Sequence, residues 1–107
     1  KTDYRAACDL LAAERKRFSA LLSGTGVFEV FPSQANYLLC RLTTRMKARA
    51  LAQTLLQDSE ILIKDLSGKR GFPEGQFVRL AVRGPDDNDR LVDAINKAQQ
   101  NKATRTE

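Results

Sequence analysis

The stretch FVRLAVR, Phe77–Arg83, limits the fold more than any other, because its alternation suits a β-strand with one sealed face. Successive strand side chains point to opposite sides, so Val78, Leu80 and Val82 fall together and read as core. Phe77, Arg79, Ala81 and Arg83 take the other side. A guanidinium is therefore carried near the middle of a strand whose opposite face is wholly apolar, and it needs an anion or water there. A second run, Ile61–Leu66, places Ile61, Ile63 and Asp65 on one side and Leu62, Lys64 and Leu66 on the other. Function is expected in the span Glu60–Arg83, with the rest of the chain holding it.

The remaining elements follow from periodicity. Tyr4, Ala7, Cys8, Leu11, Phe18 and Leu22 lie close to one face of a 3.6-residue helix over residues 3 to 22, stopped by Ser23-Gly24-Thr25-Gly26. Val27–Phe31 reads as a strand closed by Pro32-Ser33, and Ala35–Leu42 as a second, mostly buried one. Thr43-Thr44 offers a cap for a helix from Arg45 to Gln57 with its stripe on Ala48, Leu51, Ala52 and Leu55. A glycine-rich loop, Ser67–Gln76, carries Lys69, Arg70 and Pro73. Gly84-Pro85-Asp86-Asp87 starts a last helix, whose buried stripe is Leu91, Val92, Ile95 and Ala98. The order helix, strand, strand, helix, strand, strand, helix, with short strand connections, predicts an α+β two-layer sandwich: a small, mainly antiparallel sheet of about four strands with helices mainly on one face. The domain is drawn over residues 1–98, and the polar 99–107 is read as a disordered tail.

Composition mainly excludes. A chain of 107 residues with 42% hydrophobic and 29% charged residues is large enough for one cored domain. Cys8 and Cys40 lack a C-x-x-C spacing and are read as buried thiols in a reducing, cytoplasmic setting. No apolar run reaches the length of a membrane span, and the first residues do not form a signal peptide. The net charge of +5 comes from basic residues interleaved with acidic ones, and the chain has no Trp, so a nucleic-acid platform is not favoured. With no histidine, the usual general base, the common catalytic zinc sites and every Ser-His or Cys-His pair are absent. Gly68-Lys69 is not a phosphate loop, because Ile63 stands where the first glycine belongs and Arg70 where Ser or Thr would bind magnesium. Asp86, Asp87 and Asp89 suit a helix start rather than a metal site.

Three segments together carry a family resemblance: FPSQANYLLCRL, ILIKDLSG and FVRLAVRGPDDNDRLVDAI. They resemble the C-terminal small domain of class I/II (fold type I) pyridoxal-phosphate-dependent aminotransferases, in the subgroup of histidinol-phosphate aminotransferase and threonine-phosphate decarboxylase. That family shows PS-x-AN-F, then a G-I-x-[VI]-R-D strand, a variable loop, an L-R-[IVL]-x-V strand and an acidic helix start. Here these read Pro32-Ser33-Gln34-Ala35-Asn36-Tyr37, Glu60-Ile61-Leu62-Ile63-Lys64-Asp65 and Val78-Arg79-Leu80-Ala81-Val82. The likeness runs from the first helix, of the interdomain type over residues 1–23, to about Ala98.

The resemblance implies that Arg79 grips the α-carboxylate of the amino acid through a bidentate fork. It implies a distal phosphate contact at Lys64, where the subgroup has arginine, and more weakly a substrate contact at Asn36. Glu60 stands where glycine is usual. The lysine that holds pyridoxal 5'-phosphate, its aspartate and the phosphate cup belong to the family's large domain, and their motifs are not in this chain. The resemblance implies a homodimeric parent enzyme whose large domain partners this one, and the chain alone is expected to bind no cofactor and to be inactive. A decarboxylase of the same family, a basic binding module and a purely structural lobe are the alternatives.

Overall fold

The structure, a computed structural model, describes residues 2–70 and 75–105. Three helices, α1 (Thr2–Gly24), α2 (Ala48–Ser59) and α3 (Pro85–Arg105), surround four strands, β1 (Phe28–Val30), β2 (Tyr37–Leu42), β3 (Lys64–Asp65) and β4 (Phe77–Ala81). The sheet runs β1-β2-β4-β3 and every pairing is antiparallel. This is the α+β architecture expected from the order of elements.

The helices share one face of the sheet. Phe18 and Leu22 of α1, Leu51 and Leu55 of α2 and Leu91 and Ile95 of α3 join Leu38, Cys40, Val78 and Leu80 of the central strands in one buried cluster. Val78 and Leu80 are fully buried and Val82 is packed at the edge of the cluster, so the register read from FVRLAVR is the register of the fold. No helix among the described residues is long and apolar enough to cross a membrane.

Corrections fall into three groups, of which the first concerns α1 and α2. The stripe of α1 is buried only at Phe18 and Leu22, while Tyr4, Cys8 and Leu11 are exposed. The sheet lies under the last turns of α1, and its first turns have nothing among the described residues to pack against. Cys8 is thus an open thiol; Cys40 is buried as expected, and burial pushes its pKa up to about 12. The start of α2 is also later than expected. Thr44 Oγ1 accepts the Met46 N–H in a turn, Lys47 stays extended, and the Ala48 N–H donates to the Gln76 side chain at 2.8 Å. The cap comes from beside β4, across the fold, where local sequence reading does not look.

The second correction concerns the face away from the helices, which is closed at one end. Phe77 and Leu66 are buried there without joining the helix-covered cluster, and Phe77 stacks on Phe31 with ring centres 6.3 Å apart. Gly75 closes that end, since a Cβ at this position would come within 3.2 Å of the Phe77 ring. Pro73, singled out in the same loop, lies outside the described residues.

The third concerns Ile61–Leu66, which pairs as a strand only at Lys64–Asp65 although its alternation of faces is kept. Asp65 accepts both the N–H and the hydroxyl of Ser67, turning the chain out of the sheet. α3 opens with Asp86 and Asp87 in its first turn, as read, and runs on to Arg105, past the boundary drawn at Ala98. The segment after Ala98 has neither glycine nor proline before Arg105 to stop it.

Candidate functional site

Arg79 sits midway along β4 with Val78 and Leu80 sealed beneath it, so its side chain stands on the open face. β3 lies on one side of it and β2 on the other. Lys64 pairs directly with Arg79 across the β3–β4 ladder, and Leu39 pairs with it across β2–β4. Residues directly opposite in an antiparallel pair have Cα atoms about 4.5–5.5 Å apart, so two cations are brought to neighbouring positions by main-chain pairing alone.

Asn36 arrives by a different device. The Ser33 hydroxyl accepts the Ala35 N–H and donates to the Tyr37 carbonyl, which shapes the turn after Pro32. The Asn36 carbonyl then accepts the Val82 N–H at 2.8 Å, extending the β2–β4 ladder by one bond. Asn36, Tyr37, Leu62, Lys64, Arg79 and Ala81 line one open hollow of about 520 Å³. All three residues named from sequence as substrate contacts therefore meet at one place.

The charge of the hollow is one-sided. Its lining holds Lys64 and Arg79 and no carboxylate. Other arginines are committed: Arg41 pairs with Glu29 at 2.8 Å, and Arg17 pairs with Glu14 and Asp89 at 2.8 and 2.9 Å. Among the described residues Arg79 has no carboxylate partner; its contact is the Tyr37 ring, 5.1 Å from the guanidinium carbon to the ring centre. Arg83, further along the chain, lines an adjoining hollow of about 220 Å³ with Glu60, Asp87 and Asn88, and the two share Leu62, Ile63 and Ala81.

Two contributors escaped sequence reading. Tyr37 is half exposed beside Arg79, but strand pairing alone reveals that meeting. Asn88 is 1% exposed and bonded in three directions: its Oδ1 accepts the Arg83 N–H, and its Nδ2 donates to the Arg83 carbonyl and to Glu14. It fixes the corner where β4 leaves the sheet and ties that corner to α1. The only signal was a lone amide within the acidic run DDND, which the helix dipole seemed to explain in full. Arg17, then Asn88 and the charge of Arg17, hold the Glu14 carboxyl below its ordinary range against the opposing effect of burial.

The basic hollow thus lies on the open face of a small antiparallel sheet, and known proteins share that fold. No family model matches the chain. Histidinol-phosphate aminotransferase of Roseiflexus castenholzii is 37% identical over 89 residues, 81% of this chain and 23% of that protein. A solved decarboxylase from Sulfurospirillum multivorans superposes with a TM-score of 0.84 at 30% identity, over 91% of this chain and 27% of the other. Histidinol-phosphate aminotransferase from Clostridium acetobutylicum superposes with a TM-score of 0.77 at 30% identity, over 85% of this chain and 27% of that one. The chain spans about a quarter of the length of the relatives it matches.

Proposed function

The chain belongs to the fold type I pyridoxal-phosphate-dependent aminotransferase family, matching its C-terminal small domain, and on that premise we propose that it is the substrate-recognition lobe of such an enzyme. In this reading Arg79 holds the α-carboxylate of the amino acid. The observation that carries it is an exposed guanidinium without a carboxylate partner among the described residues, set on a strand whose other face is fully buried. A carboxylate meeting its in-plane N–H groups completes two parallel hydrogen bonds, which fixes both the position and the plane of the substrate.

Lys64 supplies a second positive charge beside the clamp. As a flexible ammonium it attracts a distal phosphate or carboxylate without dictating its orientation. Asn36 lines the same hollow, its position fixed by the bond from the Val82 N–H to its main-chain carbonyl, and in this reading its side-chain amide meets substrate. The ring of Tyr37 and the side chain of Leu62 are the apolar walls that displace water when the lobe closes.

The hollow does not fit the cofactor itself. Its lining holds one lysine, Lys64, and no carboxylate to face a pyridine nitrogen. Pyridoxal phosphate, which supplies the electron sink of the family's chemistry, is therefore assigned to the large domain of the full-length enzyme. The exposed Tyr4, Leu10 and Leu11 of α1 offer apolar surface for that domain. The reading further assigns the parent a homodimeric, cytoplasmic state and leaves this lobe inactive alone. The same clamp suits a decarboxylase, a reading favoured by the Sulfurospirillum superposition; release of carbon dioxide from the substrate separates the two. Turnover of Arg79→Ala in the full-length enzyme, with its cofactor spectrum as control, tests the clamp.

A further inference from the structure

Tyr37 and Arg79 meet on a diagonal of the sheet. Tyr37 is paired with Ala81 and Arg79 with Leu39, so the ring and the guanidinium reach toward each other across the β2–β4 ladder. The small Ala81 opposite the ring leaves the space for that approach. Tyr37 is 44% exposed, and it lies outside the buried cluster that holds the fold together.

The direction of the contact matters more than its strength. All five N–H donors of a guanidinium lie in its plane, while a ring beneath it covers only a flat face. The Arg79 guanidinium carbon lies 5.1 Å from the Tyr37 ring centre, and a ring contact of this kind restrains the cation without pairing it to an acceptor oxygen. Arg41 shows the contrary arrangement, since its Nε donates to Glu29 at 2.9 Å and is no longer free. An unrestrained arginine would lose rotamer freedom at the moment of binding, and one already held against a ring loses less.

We propose that Tyr37 is the positioning residue of the clamp, its ring holding one face of the Arg79 guanidinium so that the N–H edge stays presented to a carboxylate in the hollow. This rests on the carboxylate reading of Arg79. The ring and not the hydroxyl is the active part, which separates the role from direct substrate binding by the phenol.

The test compares Tyr37→Phe and Tyr37→Leu by two readouts. In the full-length enzyme, with L-glutamate as amino donor, Tyr37→Leu is expected to raise KM about fivefold with little change in kcat, and Tyr37→Phe to restore the wild-type value. In the 107-residue chain, nitrogen relaxation at Arg79 Nε should show added mobility in Tyr37→Leu but not in Tyr37→Phe, while Arg41 is unchanged. Unaltered KM and Arg79 mobility in Tyr37→Leu overturn the proposal, and so does a Phe variant as impaired as the Leu one. Arg79→Ala is measured alongside. If it is crippled while Tyr37→Leu is normal, only the positioning role falls; if it turns over normally, the clamp falls and takes the positioning role with it.

Discussion

Lys64 and Arg79 stand directly opposite each other across the β3–β4 pair, both exposed and on the same face. Like charges in that relation oppose folding by roughly 0.2–1 kcal/mol, so the arrangement is disfavoured unless an anion comes between them. Lys64→Glu should stabilise the chain by about 0.5 kcal/mol in urea unfolding at low salt, with the gain shrinking as salt screens it. Lys69→Glu, in the exposed loop, is the control and should change little. A destabilising Lys64→Glu would show that the cations do not repel across the ladder.

Glu60 ends α2 in the left-handed region, at φ 56 and ψ 36, where its own N–H donates to the Leu56 carbonyl and the next N–H, of Ile61, to the Leu55 carbonyl. A side chain is strained there by roughly 1 kcal/mol and glycine is not. This gives a physical reason for the glycine usual at that point of the family motif. Glu60→Gly is expected to raise the urea midpoint, with an unchanged slope, by about 0.5–1 kcal/mol of stability, and Glu60→Ala to give none of that gain.

The two thiols should behave in opposite ways. Cys8, on the exposed part of α1, should react at once with a thiol reagent, whereas Cys40 should react only as the chain unfolds. The folded pKa of Cys40 is raised from 9.0 to about 12, so its neutral form is the one favoured in the fold. Its contribution is fully present below about pH 9 and is lost as pH rises toward 12. The difference in stability between wild type and Cys40→Ala should narrow over that window; a constant difference would refute the assignment.

Most of the fold could be read from the chain because its core positions repeat locally. Val78, Leu80, Leu51, Leu55, Leu91 and Ile95 all announce themselves by period and all are buried. The outward placement of Arg79 was legible for the same reason, a charge breaking the pattern of a sealed strand. What escaped depends on non-local partners. Gln76 caps α2 from another element, Tyr37 meets Arg79 through strand order, and the open first turns of α1 reflect how far the sheet extends. A helical stripe states that a face is apolar, not that this chain covers it.

Asn88 is the sharpest stability test away from the site. Asn88→Ala removes its hydrogen bonds to the Arg83 N–H, the Arg83 carbonyl and Glu14 from a position 1% exposed. The expected loss is about 2–4 kcal/mol, because buried main-chain groups are left unpaired. Glu14 adds a pH dependence: its folded pKa is depressed, so its contribution is present above the ordinary carboxyl range and is lost as pH falls through the folded value. Glu14→Gln should flatten the acid limb of the stability profile. An unchanged limb would mean that the Arg17 and Asn88 contacts do not hold the carboxylate in solution.

The central claim is that Arg79 is a carboxylate clamp, and kcat/KM for the amino-acid substrate of the full-length enzyme tests it most directly. Arg79→Ala should lose about 2–5 kcal/mol of transition-state stabilisation, Arg79→Lys should lose less, and Arg83→Ala, outside the lining of the Arg79 hollow, should be milder than Arg79→Ala. The cofactor spectrum and the unfolding midpoint should stay at wild-type values in all three variants. Near-normal turnover in Arg79→Ala, or a loss that follows unfolding, would contradict the clamp.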